Sequence, residues 1–487
     1  MVSEPENRIW PWLLAAGLLV AAALRAAGLG TELWMDELLS LRSVQALSSP
    51  LQVFTEVHSD NNHYLNSLWM WTVGSGAPGW LLRLPPLLFG VALVGLAYRI
   101  ERSGGRLPAI VAAALVCVSY PLIHYSSEAR GYGYVLPCAL LAYGLFRSWA
   151  SGADPRTGVL YAVVSALAFL AQLGFATVFA AFLLWSCLLV LGSGEKMRAL
   201  RAHLAVQALP AVTLGVLWAI DLRHMTPAGG FARLSPVQSL AGALGLVVGV
   251  APGVPAAVVA IAACVAILLG ARASYRDSRE ETLFLALAIV LSLATGALPG
   301  YGYPRYYLTA FLFSLLLLGR AAAAGLATPR WRVPAAILLL LLGAFNLLQT
   351  ARFVSIGRGK YSEAVADMIA ATAVRPVTVT GSHDLGTVLE LGYYGPSADG
   401  VSAFAYYCHE ASTLGCVRSR PSLARGETPP RFYILASLED RFDPPALLGV
   451  PDLGEYEKVR AYPKYGLSGV YWVVYRHSKV SGATASP

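Results

Sequence analysis

The feature that most constrains this chain is a series of long apolar runs, most of them roughly 16–20 residues, close to the length at which a helix spans hydrocarbon. They begin at Trp10 and recur as far as Leu348. None alternates polar with apolar residues, which excludes a membrane β-barrel. Of the 487 residues, 56% are hydrophobic and 13% charged, whereas a soluble protein carries roughly a quarter charged residues. The composition therefore points to a polytopic helical membrane protein.

About eleven spanning helices fit the apolar runs: Trp10–Leu29, Trp80–Tyr98, Leu107–Ile123, Gly131–Trp149, Gly158–Leu173, Phe175–Leu191, Leu204–Ile220, Val254–Gly270, Thr282–Leu298, Tyr306–Leu318 and Val333–Leu348. The first, which holds Arg25 and lacks a cleavage signal, is read as a retained helix. The net charge of +8 comes from an excess of Arg, as cytoplasmic loops require, and no basic, aromatic-interleaved patch calls for nucleic acid. With the N-terminus inside, the basic groups Arg99–Arg102–Arg106, Arg147–Arg156 and Arg320–Arg330–Arg332 all fall on the cytoplasmic side. The C-terminal region then lies outside, and the expected location is the cytoplasmic (inner) membrane.

Two shorter apolar stretches, His63–Val73 and Pro236–Val250, are read as helices on the outer interface, within segments of about 31–79 and 231–252. After residue 350 the composition turns mixed, with candidate strands Pro376–Thr380, Phe432–Ala436 and Val470–Tyr475 and candidate helices Tyr361–Ala373 and Leu385–Tyr393. The expected architecture is thus an all-α polytopic membrane domain, residues 1–350, followed by a small α/β extracytoplasmic domain, residues 351–487. Of six cysteines, Cys408 and Cys416 lie in that outer domain, where an oxidising exterior would allow them to pair.

The unusual polar residues gather on the outer side of this topology. They are Asp36 and Glu37; His58, Asp60, Asn62 and His63; Glu128 and Arg130; and Tyr303, Arg305 and Tyr306. Ionisable groups at membrane depth are costly and usually line a functional cavity. Taken alone, Asp36–Glu37 reads equally as a helix start with its charge on the favourable end of the dipole. Arg130 and Arg305 read equally as interfacial anchors. Arg83 is placed to pair with a first-loop acid, and the Gly229–Gly230 loop to act as a flap or a plain connector.

The stretches "WMDELLSLR", "DNNHYLNSLWMW", "LLRLPPLLFGVALVGLAYRI", "PLIHYSSEARGYGYVLPCALLAYGLF" and "YPRYYLTAFLFSLLLLG" resemble, in residues, order and spacing, the GT-C glycosyltransferases. The closest branch is the bacterial one related to protein O-mannosyltransferases and to the aminoarabinose and galacturonic acid transferases of lipid A. The resemblance covers roughly the first 330 residues. It departs where family members often carry Pro and this chain has Tyr64.

The resemblance implies an inverting transfer of a hexosyl or pentosyl group from a polyprenyl-phosphate donor, on the outer face, to a glycolipid, cell-wall polymer or protein. Asp36 would be the general base, with Glu37 orienting it. Arg130 and Arg305 would hold the donor phosphate, and His58, Asp60, Asn62, His63, Glu128, Tyr303 and Tyr306 would contact sugar or acceptor. No cofactor is required; a divalent metal would fall to Asp36, Glu128 and His63. A polysaccharide polymerase or ligase and a lipid-linked-sugar transporter are the competing readings. A transporter is expected to place charge near mid-membrane, and here it sits at the rim.

Overall fold

The computed structural model describes residues 9–225, 236–250, 256–296, 303–398, 401–408, 418–419, 428–439 and 442–480. The expected Gly229–Gly230 flap and Cys416 lie outside the described residues. The chain divides into two compact units, one made of Met1–Gly30 with Val44–Ala351, the other of Thr31–Ser43 with Arg352–Pro487.

The first unit is helical. Helices lie over every apolar run named above, from Ile9–Ala26 through Leu84–Glu101 to Leu308–Ala327 and Arg332–Ile356. By length and composition, five helical segments among the described residues are able to cross a membrane, and a bent pair makes a sixth. These do not exhaust the eleven expected spans, two of which, Val254–Gly270 and Thr282–Leu298, run into residues outside those described. Trp12–Ala26 and Arg156–Ala171 are apolar but short, and Tyr132–Ala150 carries Pro137 and Arg147 within it. The chain is a multi-pass membrane protein. The fifth and sixth expected spans are two helices, Arg156–Ala171 and Phe175–Gly192, separated by a short segment with an extended Gln172.

The third expected span is not continuous. Arg106–Val118 and Tyr120–Ser126 meet at a 59° bend. Ser119 is extended there, and Pro121 in the first turn beyond it has no N–H to continue the ladder. A break at membrane depth leaves backbone groups that must find partners inside the protein. Asn346 Oδ1 accepts the Tyr120 N–H at 2.8 Å. The fully buried Arg25 donates to the carbonyls of Val116 at 3.3 Å and Cys117 at 3.4 Å. An apparently misplaced arginine in the first apolar run thus caps a broken helix. The break also turns the chain into the Ser126–Gly131 segment, where the site begins.

A buried ionic group ties other helices together. Arg320 donates from Nε and Nη2 to the two oxygens of Glu101, at 2.8 and 2.7 Å. Arg147 pairs with Glu281 at 2.7 Å, and the Tyr143 hydroxyl donates to the same carboxylate at 3.1 Å.

The second unit is α/β, with a seven-stranded mixed sheet. Its spatial order is Arg418–Ser419, Phe404–Cys408, Val377–Gly381, Phe432–Ser437, Tyr471–His477, Gly454–Tyr462 and Leu447–Val450. The first four pair in parallel and the rest antiparallel. The candidate strands and helices all appear, the helices as Tyr361–Ala370 and Asp384–Tyr394. The strands at Phe404–Cys408 and Gly454–Tyr462 were not read from the sequence. Cys408 is disulfide-bonded.

Residues 31–43 belong to this unit because they pack into it. Trp34 is a core side chain together with Tyr361, Val379, Phe404, Ile434 and Trp472. The Glu32 carboxylate accepts from the backbone of Tyr361 and Ser362, at the start of the Tyr361–Ala370 helix, where the dipole favours an anion. Arg358 reaches Thr31 Oγ1, and the Tyr394 hydroxyl donates to the Leu33 carbonyl at 2.9 Å.

Candidate functional site

Within the helical unit, four expected residues converge. The Ser126–Gly131 turn is held from the side by Asn66, whose amide donates to the Ala129 carbonyl at 2.7 Å. It leads straight into the Tyr132–Ala150 helix through Gly131. A Cβ there would lie 1.9 Å from the Ala171 carbonyl oxygen and 2.9 Å from His63 Nδ1, so only glycine allows the approach. Arg130 consequently lies against this junction, its guanidinium 5.1 Å from the Tyr132 ring centroid. It donates to Asn61 Oδ1 and stands 3.7 Å from Glu128 Oε1. Glu128 is also 3.7 Å from His124 Nε2, one helical turn back.

Arg305 comes from a distant part of the sequence, in the Pro304–Tyr307 turn before the Leu308–Ala327 helix. Its guanidinium is 4.7 and 5.3 Å from the Tyr303 and Tyr306 rings. His63 lies between the electrostatic reach of the two arginines. Burial above all, then the charges of Arg130 and Arg305, hold its imidazole well below the ordinary histidine range. His63 is therefore neutral, and its buried Nε2 makes no hydrogen bond. Two guanidiniums, a carboxylate and a neutral imidazole form a positive, partly desolvated cluster, a charge pattern that favours an anion.

The other members of the expected set have partners or surroundings of their own, His58 first among them. Its Nδ1 is 2.7 Å from Asp221 Oδ1, and the Tyr64 hydroxyl donates to Asp221 Oδ2 at 2.6 Å. Asp221, buried at the end of the Lys196–Ile220 helix, thus latches the loop that carries His63. Asn62 uses its amide on the same loop, donating to Val53 and Val57 and accepting from Ser67. Asp60 is exposed. Arg83 is buried and donates to the Leu29 carbonyl at 3.1 Å. Among the described residues no three His, Cys, Asp or Glu side chains are grouped to hold a metal ion.

Asp36 and Glu37 are described within the α/β unit. They open the Met35–Gln45 helix. Glu37 Oε2 accepts the Trp34 N–H at 3.3 Å, the returning half of a capping box. Its carboxylate thereby fixes the helix start on which Asp36 rides, and Asp36 sits in the first turn on the favourable end of the dipole. The Asp384–Tyr394 helix packs on this turn. His383, its N-cap, accepts the Gly386 N–H on Nδ1 at 3.1 Å. Burial pushes the His383 imidazole down to about 4, against the pull of the Asp384 and Asp36 carboxylates. On the same helix, burial holds the Glu390 carboxyl well above the usual carboxylate range, and the nearby Glu32 and Asp36 charges add to this.

His383 makes the stability of the protein acid-sensitive. The ring is neutral when folded and has an ordinary value near 6.5 when unfolded, so its contribution is present above pH 6.5 and is lost as pH falls toward 4. Once protonated, Nδ1 no longer accepts the Gly386 N–H. Thermal unfolding of the detergent-solubilised protein is expected to drop by roughly 2–6 °C between pH 6.5 and 4.5, and His383→Asn, which keeps a capping oxygen, is expected to flatten this part of the profile. An equal drop in that variant would assign the acid sensitivity to other groups.

Asn61, Tyr132, Asp221, His383 and Glu390 were not singled out as site residues from the sequence. Only Asp221, a lone carboxylate closing an apolar run, carried a local signal.

No protein-family model matches the sequence, and no curated protein matches it. The fold does match solved structures. ArnT from Cupriavidus metallidurans, in the crystal structure bound to undecaprenyl phosphate, superposes with a TM-score of 0.58 at 11% identity, covering 98% of this chain and 100% of that one. The apo state of ArnT gives the same TM-score and identity, with 98% and 99% covered. At this identity the likeness is one of fold alone.

Proposed function

We propose that this chain is an integral membrane glycosyltransferase that takes a sugar from a polyprenyl-phosphate donor and passes it, with inversion, to a hydroxyl-bearing acceptor. The observation that carries this reading is the convergence of Arg130 and Arg305 on a buried, neutral His63, on a fold shared with a protein crystallised with undecaprenyl phosphate. In such a reaction the acceptor oxygen attacks the anomeric carbon as the bond to the lipid phosphate breaks. Asp36 takes the hydroxyl proton. The leaving phosphate regains its negative charge, which Arg130 and Arg305 offset, and His63 donates a hydrogen bond from its uncommitted nitrogen. Glu128 keeps Arg130 oriented. Tyr303 and Tyr306 flank Arg305 and offer aromatic surface to the lipid or sugar.

The test is a transfer assay in membranes with a panel of labelled polyprenyl-phosphate sugars. Removing a group that stabilises developing charge typically lowers turnover by about 10²–10³-fold. Arg130→Ala is expected to fall in that range, and Arg130→Lys, which keeps charge but loses the planar fork, to recover only part of the loss. Transfer from no lipid-linked donor by the wild type, or full activity in an Arg130→Ala, Arg305→Ala double variant, would overturn the reading.

A further inference from the structure

Apart from the segment that bears Asp36, the α/β unit takes no part in the proposed reaction. One face of its Asp384–Tyr394 helix bears on that segment. His383, Gly386 and Glu390 are spaced at i, i+3 and i+7, so they lie on a single stripe of the helix and its cap. Each of the three meets the Met35–Asp36 turn. The charge of Asp36 acts on His383. A Cβ on Gly386 would stand 2.9 Å from Met35 Sδ and 2.7 Å from His383 Nδ1. The backbone of Met35, together with the Tyr361 hydroxyl, is the polar neighbour of Glu390, and Asp36 and Glu32 are the charges that reach it. Glu390 is fully buried.

A carboxyl buried this deeply is expensive to keep unless it carries its proton. Leucine in its place would pack at no such cost. The glycine is equally specific, since a side chain at 386 would press on Met35. The segment is also pinned at its near end, through Glu32 on the Tyr361–Ala370 helix and Trp34 in the sheet core. The turn that presents Asp36 is thereby held from two sides, one apolar and one polar.

We propose that the stripe His383–Gly386–Glu390 is a seat that sets the position of Asp36, so that the task of the C-terminal unit is to place the base. His383 and Glu390 are positioning residues: they act through the Met35–Asp36 turn and not on the substrate. This rests on the reading of Asp36 as the base. It separates the function of the C-terminal unit from acceptor binding, because a seat changes turnover and leaves donor and acceptor affinity alone.

The test measures kcat and the KM for donor and acceptor in the full-length protein, with monodisperse elution and thermal unfolding as the check on folding. Displacing a reacting group by about 1 Å costs up to 10²-fold in rate. Glu390→Ala and Gly386→Val are each expected to lower kcat by about ten- to a hundredfold, with both KM values within about twofold of wild type. Glu390→Gln, which keeps shape and neutrality, is expected to recover most of the rate that Glu390→Ala loses. A folded Glu390→Ala or Gly386→Val protein with wild-type kcat would overturn the seat. So would losses confined to KM, which would indicate acceptor binding, or an equal loss of kcat in Glu390→Gln and Glu390→Ala. Asp36→Asn run alongside separates the two proposals: if it retains transfer, the base assignment fails; if it alone is inactive, only the seat fails.

Discussion

Asparagine at position 36 is expected to lower the transfer rate by about 10²–10⁴-fold, the range a positioned general base contributes, while leaving donor binding intact. The substitution removes the proton acceptor and the charge while keeping the shape of the side chain. Glu37 still returns to the Trp34 N–H and holds the helix start, and Ser40 still donates to the backbone carbonyl of residue 36 at 3.0 Å. Glu37→Gln is the contrasting case. A capping amide oxygen still accepts from Trp34, so its effect should be several-fold, not thousandfold. Radiolabelled transfer under single-turnover conditions, with donor binding measured separately, distinguishes them. An Asp36→Asn protein that turns over normally, or one that is slow only because it no longer binds donor, would remove Asp36 from the role of base.

The second large effect concerns stability. Arg320 and Glu101 form a two-point pair in which Glu101 is 2% exposed and Arg320 17%. Removing one partner of such a pair leaves an uncompensated buried charge and typically costs about 3–5 kcal/mol. Arg320→Ala is therefore expected to lower the thermal midpoint in detergent by roughly 5–10 °C. The loss should exceed that of Arg198→Ala, whose partner Glu195 is exposed and whose pairing contributes about 0–1 kcal/mol. Replacing both members, Arg320→Met with Glu101→Leu, is expected to restore much of the loss, because well-packed apolar side chains need no counter-charge. If Arg320→Ala unfolds no earlier than Arg198→Ala, the pair is not a stabilising element.

The Arg320 pair also shows how the sequence under-described this molecule. Arg147 and Arg320 were read as markers of a cytoplasmic loop. The structure gives each a buried or half-buried carboxylate partner from another helix. Arg25 was read only as part of a retained first span, and it caps the broken Arg106–Val118 helix. In each case the residue type was visible, and the partner was not, because the partner lies far away in sequence.

The site divides along the same line. The polar motifs containing His63, Glu128, Arg130 and Arg305 stood out because charged residues beside apolar runs are rare, and those four positions meet across some 240 residues of chain. What each side chain contacts could not be read. Asn62 and His58, chosen from the same polar run as His63, are spent on the loop and on Asp221. Asp221 itself is 163 residues from His58.

The sequence by itself determined the helical membrane class, the apolar segments and the positions of the rare charges. A helix in hydrocarbon satisfies its own backbone, so its existence depends on local length and apolarity alone. Tertiary structure alone decided that residues 31–43 belong to the C-terminal unit, and that His383, Gly386 and Glu390 form a surface facing Asp36. Those outcomes rest on Trp34 joining a core built more than 300 residues later, and on a glycine whose missing side chain makes room for Met35. Packing of that kind leaves no periodicity in the chain, because each partner is chosen by shape and charge after the fold has brought it near.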